Sequence, residues 1–121
     1  MSEDDVHLKK FQKELSAGTV SLVLLAVLAR SDEPLYGYQI AKRLELTGDP
    51  LLGGKQSALY PVLRNLSAAG LADSHVEPSV SGPPRRYYRI TPLGQRVLAE
   101  WKASWDTTRQ SVDAVLEGNL R

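Results

Sequence analysis

The chain contains no cysteine, which excludes disulfides and thiolate metal sites. Its two histidines, His7 and His75, stand far apart with no paired-ligand spacing and no carboxylate beside either, so neither a metal centre nor a general-base arrangement is expected. A phosphate-cradling glycine motif is missing too. Gly53-Gly54-Lys55 is like the end of a P-loop, but it lacks the first glycine at the right distance and a strand before it. These absences argue against catalysis and against any cofactor. The apolar run Val20 to Leu28 is shorter than the ~20 residues needed to cross a bilayer. It follows a charged, acidic start with no small-residue cleavage site, so a secretory signal is not expected and the cytoplasm is the default.

A length of 121 residues suits one domain with a modest core, and 42% hydrophobic and 24% charged residues are ordinary for a soluble globular chain. The formal net charge is only +1. Its distribution is uneven. Between Tyr36 and Pro92, Lys42, Arg43, Lys55, Arg64, Arg85, Arg86 and Arg89 outnumber Glu45, Asp49, Asp73 and Glu77, whereas Glu3, Asp4 and Asp5 sit apart at the start. A local positive field of this kind steers association with DNA even when the total charge is near zero.

Hydrophobic spacing predicts the elements. Leu8, Phe11 and Leu15 suggest a short amphipathic arm over residues 3 to 15, and the run Thr19 to Arg30 a helix buried on almost every side. A second helix over Gly37 to Leu46 buries Ile40, Ala41 and Leu44 and turns Lys42 and Arg43 outward. The third, Ser57 to Ala69, places Leu59, Val62, Leu63 and Leu66 on one face and Ser57, Tyr60, Arg64 and Ala68 on the other. Ser57 can cap its start, Gly70 can end it, and Pro61 argues for a start no earlier than Ser57.

The most informative stretch is Gly82 to Gly94. A Gly/Pro turn opens into the basic, aromatic strand Arg85 to Ile90, which runs into Thr91 as a natural N-cap and Pro92 at the first helical position. Leu71 to Glu77 supplies the outgoing strand. On the return strand, Tyr88 and Ile90 share one face while Arg85, Tyr87 and Arg89 share the other. From Pro92 to about Glu117, Leu98, Trp101, Trp105, Thr108, Val112 and Val115 recur at coiled-coil spacing, giving an overhanging helix whose stripe a symmetric dimer would cover. The architecture expected is mainly α: a winged helix-turn-helix with a two-stranded β-wing and a long C-terminal dimerisation helix. Residues 1–90 would form the DNA-binding domain with its arm, and residues 91–121 the dimerisation helix.

Arg85, Arg86 and Arg89 on the wing suit phosphate contact, Arg64 suits a base edge or a phosphate, and Tyr60 on the outward face suits a phosphate hydrogen bond. Lys42 and Arg43 read as ordinary surface, and Tyr36, Tyr38 and Tyr88 as core aromatics. Trp101 and Trp105 either fill a dimer seam or line a pocket there, with Asp106 and Arg109 nearby.

This order of elements resembles the PadR family of bacterial transcriptional regulators. The matching stretches are Leu24-Leu25-Ala26-Val27-Leu28, Leu35-Tyr36-Gly37-Tyr38-Gln39-Ile40, Leu59-Tyr60-Pro61-Val62-Leu63, Leu66-Ser67-Ala68-Ala69-Gly70-Leu71 and Gly82 to Gly94. The single long helix after the wing is similar to the subfamily with a short C-terminal region. The resemblance implies a homodimer whose heads bind double-stranded DNA at an inverted-repeat operator, usually to repress. It places Lys55, Ser57, Tyr60 and Arg64 on the recognition helix and the turn before it, and Arg85 and Arg86 at the wing tip. Some members of that family bind planar aromatic compounds between paired C-terminal helices on a tryptophan surface; Trp105 stands at that position, and Trp101, one turn earlier, matches no position of the family pattern. Two other readings remain open on the residues: a winged-helix protein-interaction module, and a repressor without an effector.

Overall fold

The computed structural model describes residues 2–49 and 56–120. In chain order the elements are helix α1 (Glu3–Ala29), strand β1 (Leu35–Tyr36), helices α2 (Gly37–Glu45) and α3 (Gln56–Ala68), strands β2 (Ala72–Glu77) and β3 (Arg85–Ile90), and helix α4 (Pro92–Leu116). The strands form one antiparallel sheet in the order β1-β3-β2. The fold is therefore the expected winged helix-turn-helix, with one strand more than expected. Leu35 and Tyr36 pair with Tyr88 and Tyr87 on the free edge of β3.

The arm and the first apolar helix are not separate, as the sequence suggests, but one 27-residue helix. Ser2 caps it by accepting from the Asp5 N–H at 3.1 Å. Gly18 lies at the expected break, yet its backbone φ is not left-handed. A helical glycine costs about 1 kcal/mol, too little to interrupt a helix already propagating from both sides. Nor is the apolar half buried on almost every side. Leu24, Leu25 and Leu28 are fully enclosed, Val20, Val23 and Val27 lie against the core from its edge, and Leu22 faces a cleft described below.

The core joins those three leucines to Leu35, Ile40, Ala41, Leu44, Leu59, Leu63, Leu66, Leu71, Ala72 and Tyr88. Leu59, Leu63 and Leu66 come from one stripe of α3, as their spacing predicts. Gln56 is already helical, so Ser57 sits inside the first turn instead of before it. Pro61 lacks the N–H that would reach the Ser57 carbonyl, and both residues are on the exposed side of the helix, where losing that bond costs least. At the other end Gly70 adopts φ +78° and the Leu71 N–H returns to the Leu66 carbonyl at 2.9 Å, turning the chain into β2.

The wing joins α4 through a compact elbow. Thr91 Oγ1 accepts from the Gly94 N–H at 3.0 Å and donates to the Gly70 carbonyl at 2.7 Å, while the Thr91 N–H donates to the Leu71 carbonyl at 3.1 Å. The cap thus ties the start of α4 to the turn that ends α3. Of the apolar stripe on α4, Leu98 and Trp101 pack on the core of the same chain, whereas Trp105, Val112 and Val115 are exposed.

Candidate nucleic-acid interface

Helix α3 and the wing both pack on the core to which Tyr88 belongs. Alternation along β3 sends Tyr88 inward, where it is 2% exposed and paired with Ser74 on β2. Arg86 has the same parity, and its guanidinium donates from Nη1 to Ser74 Oγ at 2.9 Å. Burial pushes the Tyr88 hydroxyl above the usual tyrosine range; Arg86 opposes that rise, Tyr60 adds to it, and Arg64 opposes it. Arg86 from the wing and Tyr60 and Arg64 from α3 are therefore all within electrostatic reach of one hydroxyl.

Tyr60 differs from its expected placement on an outward face. It is half-buried against the core, and its hydroxyl accepts from Gln56 Nε2 at 2.6 Å. A Cβ at Gly37 would lie 2.8 Å from the Tyr60 oxygen and 3.0 Å from its ring. Glycine at the start of α2 lets the ring fit there, setting the separation of the two helices of the helix-turn-helix. Ser57 and Arg64 are exposed on α3. Lys55 lies outside the described residues.

Arg85 and Arg89 occupy the opposite face of the sheet, as the alternation predicts. Arg85 stands across from Glu77, and Arg89 across from Asp73. Among the described residues, none of Arg64, Arg85, Arg86 and Arg89 is ion-paired; the pairs present are Lys42–Glu45, His75–Glu77, and Arg109 with Asp106 and Asp113. Four cations without carboxylate partners keep their full charge for an external anion.

Tyr36 and Tyr38 are corrected by the structure. Tyr38 is 51% exposed and Tyr36 only half-buried. The buried stripe of α2 runs through Gly37, Ile40, Ala41 and Leu44, which leaves position 38 on the solvent side. A two-residue strand has no period from which the face of Tyr36 could be read.

A second feature lies between α1 and α4. A cleft of about 470 Å³ is lined by Trp101, Trp105, Ser104 and Thr108 on α4 and by Leu15, Thr19 and Leu22 among others on α1. Both tryptophans line it; Trp101 is half-buried and Trp105 is 38% exposed. Among the described residues, Glu14 is the one charged group of its wall. Among those residues too, no group of three or more histidines, cysteines or carboxylates is placed to hold a metal ion.

Comparison with known proteins agrees with this architecture. A regulator of the PadR family from Eggerthella lenta DSM 2243 superposes with a TM-score of 0.75 at 37% identity, over 94% of this chain and 95% of that one. A PadR-like transcription factor from Bacteroides fragilis gives 0.69 at 27% identity, over 88% and 98%. A PadR-like regulator from Bacillus cereus strain ATCC 14579 gives 0.69 at 28%, over 85% and 96%. Residues 24–100 match the model of the transcriptional regulator PadR-like family, spanning the core leucines of α1, both helices of the helix-turn-helix, the whole wing and the first turns of α4. The chain belongs to the PadR-like family of transcriptional regulators.

Proposed function

We propose that the chain acts as a homodimeric, effector-responsive repressor that binds an inverted-repeat operator in the cytoplasm. The observation that carries the DNA contact is that, among the described residues, Arg64 on the exposed side of α3 and Arg86 on the wing are both free of carboxylate partners, Arg86 being held by the neutral Ser74 hydroxyl. Helix α3 would enter the major groove, with Ser57 and Arg64 on its exposed side and Lys55 before it, while the wing arginines would hold flanking phosphates. A basic face on a near-neutral protein favours DNA over a protein partner, and repression follows from the family resemblance.

Apolar side chains left outside the core support the dimer. Val6, Leu8, Phe11 and Leu15 are exposed along α1, and Val112, Val115 and Leu116 along α4. Packing these stripes against a second copy removes both from water and pairs the two heads, which would then read half-sites about 34 Å apart. The effector site would be the α1–α4 cleft. Its volume suits a small molecule and its tryptophans offer stacking surfaces. Glu14, with no lysine, arginine or histidine among the described lining residues, favours a cationic or neutral planar aromatic over an anion. Such a ligand releases DNA only by binding the DNA-incompetent dimer more tightly than the competent one.

The test is the salt dependence of binding to a duplex from the region upstream of the protein's own gene. Arg64→Ala and Arg86→Ala should each weaken binding, and the slope of log K against log salt should become shallower by about 0.9 for each phosphate that is no longer neutralised. Wild-type affinity and slope in both variants would overturn the interface.

A further inference from the structure

The outer face of the wing sheet, away from the Tyr88 junction, carries a connected set of aromatic and cationic groups that the recognition face does not explain. Tyr36 on β1 stands opposite Tyr87 on β3, with ring centroids 5.3 Å apart at 65°. Tyr87 in turn stands opposite His75 on β2, at 5.6 Å and nearly parallel. Tyr38 stacks on Tyr36 at 6.3 Å. The guanidinium carbon of Arg85 lies over the Tyr36 ring, 4.5 Å from its centroid.

The position of Arg85 is informative because a carboxylate is close in register. Glu77 is its direct cross-strand partner, yet Glu77 Oε1 is bound to His75 Nε2 at 3.0 Å, and Arg85 forms no ion pair among the described residues. The ring, not the acid, holds it. The two ways of fixing an arginine differ chemically. A carboxylate takes the in-plane N–H donors and cancels the charge, whereas an aromatic face attracts the guanidinium through the ring quadrupole and leaves those donors free. Arg86 is likewise held by a neutral group, the Ser74 hydroxyl.

We propose that Tyr36 is a positioning residue for DNA binding: its ring fixes Arg85 on the outer face of the wing with the guanidinium charge uncompensated, ready for a backbone phosphate. Tyr36 is also the N-cap of α2, where its N–H donates to Gln39 Oε1 at 3.1 Å. The same residue therefore ties the wing arginine to the helix preceding the recognition helix, so that wing and helix-turn-helix approach a duplex as one rigid surface. This inference rests on the reading above that the wing contacts phosphates.

The experiment is a double-mutant cycle on the full chain, with a 30-base-pair duplex of random sequence as the probe, because phosphate contacts are independent of sequence. Arg85→Ala should make the salt slope shallower by about 0.9. Tyr36→Leu should lower affinity about two- to fivefold, in keeping with an exposed cation–π contact, and should flatten the slope in the same direction. Tyr36→Phe and Tyr36→Trp, which keep a ring, should bind like the wild type. In the Arg85→Ala background Tyr36→Leu should have no further effect, which separates positioning from a general loss of fold that would weaken both backgrounds alike. Independent, multiplying effects of the two substitutions, or wild-type binding by Tyr36→Leu, would overturn the positioning role. Loss of affinity in Tyr36→Phe or Tyr36→Trp would overturn it as well. An unaltered slope in Arg85→Ala would overturn the wing contact itself, and the positioning role with it.

Discussion

The same substitution, glycine to alanine, should have opposite signs at two helical positions, and the structure gives both magnitudes. Gly94 is buried in the first turn of α4. A Cβ there would collide with the Leu71 carbonyl oxygen and come within 2.7 Å of Ile90 Cγ1. The Leu71 oxygen is backbone, fixed by the Thr91 N–H at 3.1 Å, so it cannot swing aside as a flexible side chain would. Relief requires α4 to lift from the end of α3. Overpacking costs about 1–3 kcal/mol and a weakened Thr91–Leu71 hydrogen bond about 1 more, against a gain of about 1 from replacing glycine in a helix. Gly94→Ala should therefore destabilise by about 1–3 kcal/mol. Gly18, in the middle of α1, has no atom within 4 Å of its would-be Cβ and no left-handed φ. There only the conformational term acts, and Gly18→Ala should stabilise by about 0.5–1 kcal/mol. The assay is urea unfolding followed by circular dichroism, at equal protein concentration so that self-association weighs equally on every variant. Equal or greater stability of Gly94→Ala would refute the account of the elbow.

Two further predictions concern the cleft and the core tyrosine. In the cleft, 9-aminoacridine (cationic) should quench tryptophan fluorescence at lower concentration than neutral acridone. Trp105→Ala should remove most of the quenching and Glu14→Gln should narrow the difference between the dyes, by up to about fivefold for an exposed charge pair; equal affinity of the two dyes in the wild type would dismiss the charge argument. The raised Tyr88 hydroxyl means that the unfolded chain gives up this proton more readily than the folded one. Its contribution is complete below the ordinary tyrosine value near 10 and is lost as pH rises through the higher folded value. Unfolding midpoints should fall above about pH 10, less steeply in Tyr88→Phe than in the wild type, and parallel alkaline slopes in the two proteins would contradict the assignment.

Much of the architecture is legible in the sequence because its signals are local and periodic. The strand Arg85–Ile90, the Thr91 cap, Pro92 at the first helical position and the core stripe of α3 appear where the spacing and cap chemistry put them. The departures share a cause: they depend on partners distant in sequence or on elements too short to have a period. Strand β1 is two residues long, and only its pairing with β3 makes it a strand. Helical angle alone points Tyr60 outward, but the missing side chain of Gly37, in the preceding helix, makes room for its ring. The stripe on α4 carries no sign of where it changes partner. Trp101 packs on the core of its own chain and Trp105 does not, a division set by how far the domain extends beneath the helix.

The wing arginines show how a short-range rule separates two neighbouring charges. Arg85 and Arg86 are adjacent and look like one basic patch, but side chains alternate along a strand, so the two leave β3 on opposite faces of the sheet. Arg86 shares its face with Tyr88 and is held by Ser74, while Arg85 shares its face with Tyr87 and is held by Tyr36. Removing both at once would merge two different effects. Taken singly, Arg86→Ala should perturb the junction with α3, and its effect should be coupled to that of Arg64→Ala. Arg85→Ala should be coupled to Tyr36→Leu and independent of Arg64→Ala. A coupling pattern that crosses the sheet would mean that the two faces do not act separately on the duplex, and that the wing grips DNA as a charged tip and not through its two sides.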